Sequence, residues 1–203
     1  MDVSRRKLAT FVVMLTALPN VGTAFAQNGE VVDIIVRENL SYVGNTGRVD
    51  VAGLVITQGD LKIEADKGSA SRLDTERSEW RLEGNVRISV RSVRIAGDEA
   101  EFSLRDNRLE HFELRGGPAT FEDLEPHRAG QARGAAERVT YDVNDEVIGL
   151  RGEAEGAVGQ NIVVGCDLLY DIGEKTFRSG SSECDRPFQI RIVPSEDAGT
   201  EEP

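Results

Sequence analysis

The stretch LEGNVRISVRSVRIAGDEAEF, Leu82 to Phe102, decides the fold. After Gly84 and Asn85, the apolar residues Val86, Ile88 and Val90 fall at every second place, and Val93 and Ile95 resume that period after a short polar break. An acidic pair follows, Asp98-Glu99, and the alternation starts again at Phe102. Strict period-two alternation gives a strand with one dry face and one wet face, whereas a helix needs apolar residues three and four apart. The same shape stands on either side, as VAGLVITQGDLKIEADKGS from Val51 and as GLRGEAEGAVGQNIVVGCDLLYD from Gly149.

Working outward, alternation continues through Val32, Ile34 and Val36, through Val49 and Val51, and through Leu61 and Ile63. It returns in Trp80 and Leu82, in Val139, Tyr141 and Val143, and in Ile162, Val164, Leu168, Tyr170 and Ile172. Turn residues separate the runs: VGNTG at 43–47, TQGD at 57–60, RDN at 105–107, RGG at 115–117, VND at 143–145 and DIGEK at 171–175. Gly, Asn and Asp tolerate the left-handed conformations that reverse a strand. Gly53, Gly84, Gly116 and Gly152 each close one apolar run and open the next, at spacings of 31, 32 and 36 residues. Asp66 follows Gly53 by 13 residues and Asp98 follows Gly84 by 14. Periods of this length indicate stacked supersecondary units that cannot bury a face alone. The residues therefore predict an all-β chain: a sandwich, a jelly roll or a β-solenoid. Residues 122–134, EDLEPHRAGQARG, lack alternation and read as a loop; residues 194–203 are acidic and read as a disordered tail.

Of the 203 residues, 39% are hydrophobic, enough for a folded core, and only 5% are aromatic, so medium aliphatics must fill most of it. The first 26 residues are a different object. Arg5, Arg6 and Lys7 precede the apolar run Leu8–Leu18, and Ala24, Phe25 and Ala26 form an A-x-A site before Gln27. This is the pattern of a secretory signal peptide. An uncleaved anchor is the rival reading, but a span needs about 20 apolar residues, and Pro19 and Asn20 end this run early. Cleavage removes three cations and one acid, leaving 21 Lys/Arg against 35 Asp/Glu, a net charge of −14. Such a chain is a poor partner for nucleic acid, whose affinity comes from Lys and Arg on phosphates. Cys166 and Cys184 both lie in the exported part. An oxidising compartment permits a bridge between them, which would stabilise by about 3 kcal/mol; two separate thiols are the alternative.

No catalytic constellation stands out. His111 lies in RLEHFEL on a strand and reads as solvated, and His127 falls in the expected loop. Neither has Cys or His neighbours at metal-ligand spacing. The carboxylate pairs Asp98-Glu99 and Glu122-Asp123 read as ordinary features of an acidic surface. Nothing resembles a nucleophile elbow, so the chain reads as a non-enzyme without cofactor or metal.

The segments VITQGDLKIEADKG and WRLEGNVRISV, the pair VTYDVNDEVIGLRGEA and NIVVGCDLLYDI, and the terminal FQIRIVP resemble the OstA-like family of periplasmic lipopolysaccharide-transport proteins. The likeness runs over most of residues 31–193. It implies a twisted, slightly open β-jelly roll built from antiparallel strands over residues 27–193, after the signal peptide of residues 1–26. It implies a carrier that holds lipid A acyl chains of lipopolysaccharide in an apolar groove and stacks end to end with other jelly rolls. Its implied partners are further copies of itself, an inner-membrane LptC-like jelly roll and an outer-membrane LptD-like one. The alternating residues then become groove lining: Ile34, Val36, Val49, Val51, Leu54, Ile56, Leu61 and Ile63 from the first repeats. The middle adds Val86, Ile88, Ile95, Phe102, Leu104 and Leu114, and the last repeat Tyr141, Leu150, Ile162 and Val164. A filled core is the alternative use of each position, and a slip of one residue in register exchanges the faces. Two other readings stay open: a membrane-anchored LptC-like partner of the same fold, and a structural β-solenoid without ligand.

Overall fold

The computed structural model describes residues 31–71, 77–106, 108–127, 130–180 and 185–194. The expected signal peptide and Cys184 lie outside the described residues, as does all of the acidic tail except Pro194. Among the described residues no helix occurs. Eleven strands follow one another as β1 (Asp33–Val43), β2 (Arg48–Gln58), β3 (Leu61–Ser71), β4 (Arg77–Val90), β5 (Val93–Arg105) and β6 (Arg108–His127). They continue as β7 (Gly130–Asp142), β8 (Val147–Val158), β9 (Asn161–Asp171), β10 (Thr176–Ser179) and β11 (Gln189–Arg191). Each strand pairs antiparallel with the next from β1 to β10, and β11 returns to pair with β9. The first and last strands do not meet, so the sheet stays open. The jelly-roll expectation holds in its essentials: all-β, antiparallel and unclosed.

The repeat has a different physical meaning from the one its spacing suggests. Gly53, Gly84, Gly116 and Gly152 are not ends of strands; each lies inside one, as do the Gly-Gly residues expected to form a turn at 115–117. The cross-strand register slips at this level in every pair from β1 to β9 except β2–β3, between Val36 and Asn39, Glu64 and Lys67, Glu83 and Val86, Ala96 and Glu99, Arg115 and Ala119, Ala135 and Arg138, and Arg151 and Ala154. Such bulges bend a strand and raise its twist. A column of them folds every long strand across one crease, so the sheet becomes two wings facing each other. Gly84 takes φ 79° and Gly152 φ 73°, a region that penalises any Cβ. The acids 13–14 residues after Gly53 and Gly84 steady the crease. Asp66 accepts a hydrogen bond from Asn85 Nδ2 at 2.7 Å, and Asp98 accepts one from the Gly117 amide at 3.2 Å.

The wings pack directly on each other. A Cβ built on Gly134 of β7 would stand 2.4 Å from Phe121 and 2.7 Å from Leu150 of the opposite wing. Gly134→Val is therefore expected to cost about 1–3 kcal/mol, the usual penalty of overpacking. A urea-melt midpoint equal to wild type would show that this contact is loose.

One segment corrects the sequence reading. Residues 122–134 are not a loop: β6 runs on to His127 and β7 begins at Gly130. Phe121 and Asp123 point inward with exposed Glu122 between them, and Ala132 and Gly134 do the same on either side of Arg133. The alternation is present but is carried by an acid, an alanine and a glycine, which hydrophobicity does not register.

Candidate functional site

Between the wings, inward residues line up strand by strand into rows that cross the whole sheet. One row joins Ile34, Ile56, Ile63, Ile88, Ile95, Phe121, Gly134, Gly156, Val163 and Ile190. In the opposite wing a second row joins Leu40, Val51, Gly68, Leu82, Ala100, Leu114, Val139, Leu150 and Leu168. A third is largely aromatic: Tyr42, Val49, Ala70, Trp80, Phe102, Phe112, Tyr141, Ile148, Tyr170 and Phe177. Within it Trp80 and Phe102 stack at 5.9 Å with nearly parallel planes, and Tyr170 and Phe177 lie 4.9 Å apart.

Eleven of the eighteen residues expected to line a groove fall in these rows. Val36 and Leu54 form the next inward rung beside Ile34 and Ile56, while Val86, Leu61 and Leu104 are buried on the same inward parity. Only on β9 does the parity differ. Val163 packs against the core, while Val164 is 38% exposed opposite Glu155, and Ile162 pairs with Ala157 on the outward side. The physical reason is the bulge between Arg151 and Ala154, which shifts the β8–β9 register. Alternation alone also passes over Leu40, Tyr42 and Ile190, which prove to be the row ends.

The interior differs along its length. In the middle the rows are sealed by their own side chains; Leu82, Ile88, Leu114 and Leu150 expose no surface. At the ends they are open. Ile34 is 40% and Tyr42 61% exposed on β1, and Ile190 is 71% exposed on β11. At both ends the apolar row stops at a strand that has no further strand beside it among the described residues. An unpaired edge with exposed aliphatic residues is a template for another strand.

Opposite the crease, the two wings meet rim to rim, and a polar clasp joins them. Asp123, fully buried near the end of β6, accepts hydrogen bonds from Ser92 Oγ at 2.7 Å, Tyr170 Oη at 2.9 Å, Lys175 Nζ at 2.6 Å and the Glu125 amide at 3.1 Å. Ser92 lies in the β4–β5 turn of one wing, and Lys175 in the β9–β10 turn of the other. Lys175 also reaches Glu125 at 2.9 Å, and Arg91 pairs with Glu146 across the same rim. Burial pushes the Asp123 carboxyl upward, but the bonds from Lys175, Ser92, the Glu125 amide and Tyr170 outweigh it and hold its pKa below the usual carboxylate value. Burial and the neighbouring Asp123 carboxylate both push the Tyr170 phenol upward, so it stays a donor. The acidic pair Glu122-Asp123 is thus no chance surface feature: one member is the most buried charge of the described chain. Asp98, of the other pair, holds the crease. His111 is exposed on β6, as its sequence context suggests.

Comparisons with known proteins agree with this architecture. Residues 63–176 match the family described as LptA/(LptD N-terminal domain) LPS transport protein. The crystal structure of LptH from Pseudomonas aeruginosa, described as the LptA-homologous periplasmic component of the lipopolysaccharide transport device, superposes with a TM-score of 0.55. The match is 20% identical and covers 66% of this chain and 95% of LptH, a likeness of fold. No curated protein matches the sequence. With more than half of its length matched by the family profile, the chain belongs to the LptA/LptD N-terminal domain family of lipopolysaccharide-transport proteins.

Proposed function

We propose that the protein is a periplasmic carrier of lipopolysaccharide, with acyl chains held between the wings and copies joined end to end. One observation carries this reading: the row from Ile34 to Ile190 crosses the sheet from one free edge strand to the other and is exposed at both ends. An additional strand paired to β1 or to the β10/β11 edge satisfies the open edge and continues the rows into the next subunit, a head-to-tail contact that does not close. Burial is worth about 0.8 kcal/mol per methylene, so aliphatic rows shield acyl chains from water along their length. No charge interrupts the rows, so a chain sliding along them meets similar binding at each step. In the sealed middle the lipid takes the place of side-chain contacts as the wings part at the rim. An LptC-like jelly roll at one end and an LptD-like one at the other are the partners that such edges would accept. The protein acts by binding, with no bond made or broken.

Photo-crosslinking amino acids at Ile34 and Phe102 test the reading, one at the open end and one in the sealed middle. Adducts with lipopolysaccharide at both positions are the expected result. A normally folded protein with no adduct at either is a scaffold with a filled core.

We further propose that Cys166, on β9, is bridged to Cys184, which ties the segment before β11 to the body of the sheet. Reduction of the exported protein is then expected to add the mass of two hydrogens. Two thiols alkylated without prior reduction would disprove the bridge.

A further inference from the structure

The outward arginines of the sheet are not all paired. In the wing that carries the second and third rows, Arg48, Arg81, Arg105, Arg115, Arg138 and Arg151 each stand within 4 Å of a carboxylate, while Arg108 on β6 and Arg178 on β10 are exposed and make no ion pair among the described residues. The other wing presents Arg87 on β4, Arg94 on β5 and Arg133 on β7, all exposed, and none makes an ion pair. The one polar contact among their side chains is a long one, from Arg133 Nη1 to the Gly159 carbonyl at 3.4 Å. This occurs in a chain with 36 acidic and 24 basic side chains, where a carboxylate is the commonest charged neighbour.

Register places these residues together. Arg94, Glu122 and Arg133 are successive members of one outward row, and Arg87 stands in the adjoining row opposite Ala96. Glu64 stands directly opposite Arg87 on β3, where Lys62 pairs with it, and the other neighbours, Ser89, Ala96, Thr120 and Ala135, are small. Arg94 and Arg133 are two strands apart, about 10 Å. Glu122 lies between them and pairs with neither. The row is one rung from the rim at which the wings meet, since Val93 and Asp123 form the last rung beside Arg94 and Glu122.

We propose that this face binds the phosphate groups of a lipid head, with Arg87, Arg94 and Arg133 as the anion-binding residues. The inference rests on the carrier reading: a lipid whose chains lie between the wings leaves its head at the rim, next to these arginines. The guanidinium fork matches phosphate oxygens in pairs, which a lysine does not. Glu122 opposes the bound phosphate and weakens the site.

The side-chain Nε–Hε resonances of the arginines test the site without any lipid. Titration with inorganic pyrophosphate is expected to shift those of Arg87, Arg94 and Arg133 and to leave Arg81 and Arg115 in place. Equal shifts across all five overturn the proposal. The second arm compares lipopolysaccharide with the same material enzymatically dephosphorylated. The wild-type chain is expected to prefer the phosphorylated form by about tenfold, the triple variant R87S/R94S/R133S to show no preference, and Glu122→Gln to widen it. A triple variant that keeps the wild-type preference disproves the site. If the crosslinker at Ile34 captures neither form, the carrier reading fails on its own, and the pyrophosphate titration still decides the arginines.

Discussion

Asp123→Ala is expected to cost about 3–5 kcal/mol, the usual price of breaking a buried charge pair from one side. The substitution removes the acceptor of four hydrogen bonds at once, leaves Lys175, whose side chain is only 14% exposed, with the exposed Glu125 as its remaining anion, and orphans the buried Tyr170 hydroxyl. Equilibrium urea unfolding measures it. A double variant, Asp123→Leu with Lys175→Met, is expected to recover most of the loss, because it removes both charges rather than orphaning one. If the single variant unfolds at the wild-type midpoint, the clasp contributes nothing to joining the wings. The sign with pH follows from the same group. The folded pKa of Asp123 is depressed, so its contribution is fully present above the unfolded value near 3.9 and is lost as pH falls through the lower folded value. Asp123→Asn should remove that acid-side loss while lowering stability at neutral pH. Lys175 behaves in mirror image: burial opposes its charge, Asp123 and Glu125 more than restore it, and its share is lost only as pH rises through a folded value above that of free lysine.

The second large effect concerns assembly. Glutamates at Leu40 and Tyr42, the exposed ends of two inner rows, are expected to weaken self-association on the order of 100-fold, because a stacked neighbour would bury two unpaired carboxylates. Sedimentation velocity over a concentration series reads this directly, and urea unfolding of the same variant controls for the fold. Both positions are 61% exposed in the single chain, so the variant folds as the wild type does. A wild-type chain that sediments as a monomer throughout, or a variant that assembles equally well, would show that β1 is not a joining edge.

Much of this architecture is legible in residue order because a strand writes its two faces into alternate positions. Ile56, Ile63, Ile88 and Ile95 lie in one row for the same reason that each sits two residues from another apolar residue. Alternation fails where the inward residue is not large and apolar. Ala132, Gly134 and Gly156 face the interior, where Phe121, Leu150 and Phe177 fill the space they leave, and Asp123 faces it because four donors wait there. It fails again on β9, where a bulge in the neighbouring pairing shifts the register and brings Val163 inward. No local pattern marks these cases, since each depends on a residue from another strand.

Residue order by itself determined that this chain is a stack of antiparallel strands with one aliphatic face, repeating every thirty or so residues, because side-chain alternation and glycine spacing are properties of a single strand. Only the tertiary structure decided that the repeating glycines are a crease rather than turns. It alone brought the two rims together through Asp123, Lys175, Arg91 and Glu146, and set three unpaired arginines, Arg87, Arg94 and Arg133, side by side on one outward face. These features join residues about 50 positions apart or lie across several strands, and such distances are set by how the wings fold onto each other, which no single strand encodes.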